Sequence, residues 1–152
     1  MKTPLTVGSL CSGIGGLDLG FERAGFKIKW QCEIDQWCSS KLKILYPGVH
    51  IHDDIKTLPS PDLADWTVDC IIGGIPCQPH SCAGKRQGAN DERNLWPEYK
   101  RIIGLLRPRF AVLENVAGFL NSDGGRFFGG VLADLAELGY DAEWSCLRAS
   151  DF

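Results

Sequence analysis

The sequence predicts an α/β fold, a mostly parallel sheet with helices on both faces. Three observations carry that expectation. Short apolar runs alternate with stretches of helical periodicity along the chain, the pattern of repeated strand–helix–strand units. The first apolar run opens into a glycine-rich turn, CSGIGG at residues 11–16. The second closes on an acid, Glu33, at the position where open α/β sheets hold ribose hydroxyls.

Residues 5–11, LTVGSLC, read as a buried strand, and LDLGFERAG beyond the turn reads as a helix. FKIKWQC at 26–32 alternates like a second strand, and DQWCSSKLKILY reads as a helix stopped by Pro47 and Gly48. A short VHIH follows, then a polar, proline-rich connection, TLPSPDLADW. The strand VDCIIGG, residues 68–74, leads into an irregular stretch at 75–94 rich in Gly, Lys, Arg, Asn and Asp. A helix near 95–106, a strand RFAVLE at 109–114, a helix near 126–138 and a final strand, YDAEWSCL, complete the order. The chain reaches Asp151 and Phe152 directly after that strand. It therefore reads as one domain over residues 1–152, incomplete at its C-terminus.

The 152 residues are enough for one domain with a real core. Hydrophobic residues at 44% and charged residues at 23% are globular proportions and exclude a disordered chain. No apolar run approaches the ~20 residues that span a bilayer. MKTPLTVGSLCSG enters a glycine-rich turn in place of an apolar signal core, so a cytoplasmic chain is expected. Seven cysteines without a secretory signal read as free thiols. A net charge of −3 argues against strong phosphate-backbone binding by this chain alone. Lys85, Arg86 and Arg93 could still meet phosphates, although a solvated loop would have the same composition.

Glycines in the turn let a backbone approach a ligand closely and aim helix N-terminal amides at it. A dinucleotide fingerprint would need a third glycine at position 18, where Asp18 stands. That disfavours a Rossmann-type oxidoreductase. Glu33 suits ribose hydroxyls, and Asp54, after VHIH, is placed for an adenine amino group. The set suits a nucleoside cofactor without a pyrophosphate. The glycines taken alone suit a tight strand-to-helix turn equally well.

GGIPCQPHS, residues 73–81, ends a strand on a thiol, Cys77, held behind the stiff Pro76. The C-terminal edge of a parallel sheet is where ligands bind, and a thiolate there is a strong nucleophile if cations or helix termini lower its pKa. A metal alternative would use Cys77, His80 and Cys82, with Cys32 and Cys38 as distant candidates. Glu114, in FAVLENVAG, stands on the same edge if its strand neighbours that of Cys77. A carboxylate after an apolar strand needs a partner if it is desolvated, or else it simply reaches solvent.

SLCSGIGGLDLGFERAG, CEID, HDDI, GGIPCQPHS and RPRFAVLENV resemble, in order and spacing, the first motifs of the DNA cytosine-C5 methyltransferases. The resemblance covers nearly the whole chain. It implies a Rossmann-like, class I methyltransferase fold that uses S-adenosylmethionine and transfers its methyl group to C5 of cytosine in DNA. By the same resemblance, Cys11, Ser12, Gly13, Ile14, Gly15 and Gly16 would cradle the methionine part. Glu33 would hold the ribose, Ile34 would pack on the adenine, and Asp54 would bond its amino group, with Ile55 beside it. Pro76 and Leu95 would complete the pocket. Many relatives have Phe where this chain has Cys11.

Cys77 would add to C6 of the base, Glu114 would bind N3 and the exocyclic amine, and Asn115 would fix the loop that carries Glu114. The implied partner is duplex DNA with the cytosine flipped out, contacted by Gln78, Ser81, Lys85, Arg86 and Arg93. The family's target-recognition part does not follow Phe152 in this sequence. The resemblance therefore implies either a fragment or a partner chain that supplies it, and a non-catalytic binding subunit is the rival reading.

Overall fold

A computed structural model of the chain describes residues 3–58, 63–76, 94–148 and 150. Five parallel strands form one sheet in the order β3-β2-β1-β4-β5. They are β1 Thr6–Leu10, β2 Lys27–Cys32, β3 His50–His52, β4 Cys70–Gly74 and β5 Phe110–Glu114. The helices are α1 Gly16–Arg23, α2 Gln36–Leu45, α3 Trp96–Leu106 and α4 Arg126–Glu137. The chain divides into two compact units, Met1–Ile75 with Pro97–Glu114, and Pro76–Trp96 with Asn115–Phe152. The first unit holds the entire sheet.

On one face of that sheet Val7, Ile28, Cys70 and Ile72 pack with Leu42 of α2 and with Tyr46 just beyond its end, and Leu17 and Phe21 of α1 lie against them. Strand side chains alternate between faces, so Ile71 and Gly73 look the other way, toward α3. There the hydroxyl of the buried Tyr99 donates to the carbonyls of Leu10 at 3.3 Å and Gly74 at 3.2 Å. Helices therefore cover both faces, as the alternation predicts. A Cβ at Gly73 would stand 2.8 Å from the Tyr99 hydroxyl and 2.5 Å from the Leu10 carbonyl oxygen. Only a glycine admits that packing.

The second strand is not the plain alternation that FKIKWQC suggests. Its pairing with β1 shifts register between Val7 and Gly8, so that Val7 faces Ile28 and Gly8 faces Trp30. Lys29 is the extra residue of a bulge, which reverses the faces beyond it. Trp30 swings onto the face of Gly8, where a Cβ would meet its ring at 2.0 Å. Its indole donates to the Trp66 carbonyl at 2.8 Å. The same reversal turns Gln31 toward α1.

In the second unit Phe119 stacks edge-on against Phe127 and Phe128, and the Trp96 indole donates to Asp134 at 2.7 Å. The expected last strand, YDAEWSCL, does not form. Residues 141–148 are exposed and without regular structure. Its first residue is used elsewhere: Tyr140 N–H donates to the Leu135 carbonyl and Gly139 N–H to that of Ala136, closing α4 in a Schellman motif. An alternating segment becomes a strand only when a neighbour takes its backbone groups. Among the described residues no strand pairs with it.

Candidate cofactor and catalytic site

Between β1 and α1 the backbone enters the left-handed region at Cys11 (φ 48°), Gly13 (56°) and Gly15 (84°). For the non-glycine Cys11 that conformation costs roughly 1–2 kcal/mol. Within the turn Ser12 N–H donates to the Cys32 carbonyl at 3.1 Å and Gly15 N–H to the Ser12 carbonyl at 2.9 Å, while Gly13 N–H turns to Glu33. Its Oε2 accepts from Gly13 N–H at 2.7 Å and its Oε1 from Asp35 N–H at 2.8 Å. The carboxylate is only 8% exposed. Each oxygen keeps a further lone pair that a ligand hydroxyl can use. Glu33 thus clamps the glycine turn to the start of α2, a structural task that the sequence did not reveal.

A cavity of about 180 Å³ opens beside this turn. Leu10, Cys11 and Ser12 line it from the end of β1, Gly73 and Gly74 from β4, and Glu114 from β5. It sits between β1 and β4, where the strand order reverses, the usual ligand site of open α/β sheets.

Beneath the cavity lies a polar cluster. Asp18, fully buried in the first turn of α1, accepts from Ser9 Oγ at 3.0 Å and Gln31 Nε2 at 2.7 Å. Ser12 Oγ donates to Ser9 Oγ at 2.9 Å. Burial pushes the Asp18 pKa up, against the two side-chain hydrogen bonds that pull it down. Gln31 Oε1 is buried without a hydrogen-bond partner. The sequence carries a partial signal for this cluster, since Ser9 and Gln31 are uncharged polar residues inside β1 and β2. Their meeting with Asp18 depends on the bulge in β2.

Glu114 closes β5 opposite Gly74, and its carbonyl accepts from Ile75 N–H at 3.1 Å. A Cβ at Gly74 would lie 3.1 Å from its Oε2. The two strands are neighbours, as the shared edge required. The side chain is exposed at the end of β5, the outermost strand among the described residues. Cys77 follows Gly74 by three positions and lies outside the described residues, with Gln78, His80, Ser81, Cys82, Lys85, Arg86 and Arg93. Asn115 Oδ1 accepts from Val116 N–H at 2.9 Å, stiffening the turn after β5.

Residues 5–152 match the family of C-5 cytosine-specific DNA methylases. The chain belongs to that family. It is 38% identical over 151 residues to the type II methyltransferase M.NgoPII of Neisseria gonorrhoeae, covering 98% of this chain and 44% of that protein. It is 36% identical over 149 residues to M.BsuFI of Bacillus subtilis, covering 97% of this chain and 36% of that protein. The chain thus spans less than half the length of these curated relatives. Among solved structures, a DNMT2 variant of Spodoptera frugiperda superimposes with a TM-score of 0.66 at 29% identity, over 86% of this chain and 41% of the other. A candidate DNA modification methyltransferase of an E. coli prophage gives 0.72 at 32% identity, over 88% of this chain and 38% of the other.

The remaining residues singled out by the methylase motifs fall as follows. Ile14 and Ile34 stand 57% and 75% exposed, apolar side chains open to a ligand's flat face. Asp54 caps the short turn Ile55–Thr57 by accepting from Lys56 N–H at 2.9 Å. Ile55 is buried, and its carbonyl is held by Arg101 at 2.9 Å. Gly16 begins α1, and a Cβ at Gly13 or Gly16 would meet nothing within 4 Å. Pro76 and Leu95 are half-buried and flank the stretch outside the description.

Cys11, Cys32, Cys38, Cys70 and Cys146 are free. Burial pushes the Cys32 thiol up to about 12 and Cys70 to about 11, so neither is a nucleophile at neutral pH. No three metal-binding side chains cluster among the described residues.

Proposed function

We propose that this chain binds S-adenosylmethionine and carries the nucleophile and the acid for methyl transfer to C5 of cytosine in DNA. The observation that carries the reading is the Glu33-clamped glycine turn at the sheet's reversal point, with Glu114 opposite Gly74 and Cys77 three positions after Gly74. The residues suit the cofactor. Open space over Gly13 and Gly16 leaves room for a ligand, and the spare lone pairs of Glu33 suit ribose hydroxyls. Ile34 offers a surface for the adenine, and Asp54 is the acceptor for its amino group. When bound, the cofactor supplies an electrophilic methyl group on sulfur.

C5 of cytosine is a weak nucleophile. In this reading the Cys77 thiolate forms a bond to C6, and the displaced electron pair gathers at C5, which then takes the methyl group. Glu114 hydrogen-bonds N3 and the exocyclic amine and stabilises the charge created by addition. Loss of the C5 proton to a base returns its electron pair to the ring, and the C6–S bond breaks to release the thiolate. The base must leave the duplex to reach the sheet edge, where the exposed Glu114 can meet it. Gln78, Ser81, Lys85, Arg86 and Arg93 would contact the DNA. Target choice would rest with a part that these residues do not include, on this protein or a second chain, and the setting would be cytoplasmic.

Covalent trapping on duplex DNA containing 5-fluorocytosine tests this directly. The chain should form a denaturant-resistant adduct when cofactor is present, and Cys77→Ser should form none. An adduct that survives the substitution would remove Cys77 from the role. A second reading, a cofactor- or DNA-binding subunit without turnover, is favoured by the solvent-exposed Glu114. Ligand binding without any adduct would select it.

A further inference from the structure

We propose that Asp18 is the counter-charge for the α-ammonium group on the aminoacyl tail of the cofactor and acts on it through Ser12. The proposal rests on the S-adenosylmethionine reading and adds a residue that determines ligand specificity. Among the described residues the cavity beside the glycine turn is lined by two acids, Asp18 and Glu114, and by no basic residue. Glu114 is exposed at the end of β5, whereas Asp18 is fully buried.

The partners of Asp18 are neutral donors, Ser9 Oγ and Gln31 Nε2. The charge acting on it is another acid, Glu22, and among the described residues no cation is paired with it. A buried carboxylate held only by neutral groups is costly, and a cation entering the cavity would offset that cost.

The hydrogen bonds also have a fixed direction. An ionised carboxylate only accepts, so the Ser9 proton is committed to Asp18. The Ser12 hydroxyl, 2.9 Å from Ser9 Oγ and 3.2 Å from the Ser9 carbonyl, then spends its own proton on Ser9. What Ser12 presents to the cavity is lone pairs, an acceptor for an ammonium N–H. Size agrees with a tail. A cavity of ~150 Å³ holds one benzene-sized molecule, so about 180 Å³ suits a small moiety such as the tail.

Calorimetry with two ligands isolates this charge. S-adenosylhomocysteine carries the ammonium-bearing tail on a neutral sulfur, and 5′-methylthioadenosine has the same nucleoside and sulfur without the tail. The native chain should prefer the first. Asp18→Asn, which keeps the shape and one acceptor, should weaken S-adenosylhomocysteine by about ten-fold or more and leave methylthioadenosine unchanged. Equal weakening of both ligands would mean a merely structural role and would overturn the proposal, as would no change in either. If Asp18→Asn does not fold, Ser12→Ala carries the test with the same selective loss expected. Failure of the native chain to bind either ligand would instead overturn the cofactor reading itself, and this proposal with it.

Discussion

β1 and β5 are both five-residue parallel strands that end on the same edge of the sheet, yet they are built differently. β1 lies between two neighbours, buried over its last four residues, and runs into a turn that Glu33 ties down from below. Among the described residues β5 has one neighbour, with Phe110 and Val112 49% and 44% exposed, and it ends on an exposed acid, Glu114. The side proposed to hold the cofactor is preorganised by the chain's own hydrogen bonds. On the side proposed to meet the base, the strand is held by pairing with β4. Binding and chemistry should therefore separate under mutation.

The largest effect should come from Gly8→Val on β1. With a Cβ already at 2.0 Å from the Trp30 ring, the change should cost about 3 kcal/mol or more, read as a collapse of the urea midpoint. Near-native stability would mean that β1 is less tightly packed than this contrast requires. Glu33→Ala comes next. It should weaken S-adenosylhomocysteine by ~1.5–3 kcal/mol, the scale of a charged hydrogen bond, and also lower the melting temperature because the turn loses its clamp. Unchanged affinity would take Glu33 out of the pocket.

A third test uses pH. Burial raises the folded-state pKa of Asp18 above its ordinary value, so the folded chain keeps a proton that the unfolded chain has already released. Stability from this residue is thus greatest in acid and falls as pH rises from the ordinary carboxylate value through the raised one. The difference in stability between Asp18→Asn and the native chain should grow in favour of the variant across that window, in denaturant melts at stepped pH. A flat difference would contradict a strained buried anion. The smallest effect belongs to β5: Val112→Ala, half in solvent, should change stability by about 0.5 kcal/mol. A loss comparable to that of Gly8→Val would erase the distinction between the strands.

Much of this arrangement can be read from residue order. Four of the five strands of the sheet, the helices α1 to α4, the glycine turn and Glu33 follow from apolar periodicity and from residues whose backbone requirements are local, whereas VHIH is too short to be read as the strand β3. Three features do not. The bulge at Lys29 is invisible because its cause is tertiary: a ring the size of Trp30 fits only over Gly8, on the face that simple alternation denies it. The Ser9–Asp18–Gln31 cluster inherits that invisibility, since Gln31 faces α1 only after the reversal. The segment YDAEWSCL has the alternation of a strand, but alternation supplies no partner for its backbone. The nearest demand on that backbone was the end of α4.

The account turns on one claim, that this chain holds an S-adenosyl ligand on the Glu33-clamped turn. Calorimetric titration with S-adenosylhomocysteine, beside a parallel titration with NAD, tests it most directly. Saturable binding of S-adenosylhomocysteine alone is the predicted result. Binding of NAD, or of neither ligand, would contradict it.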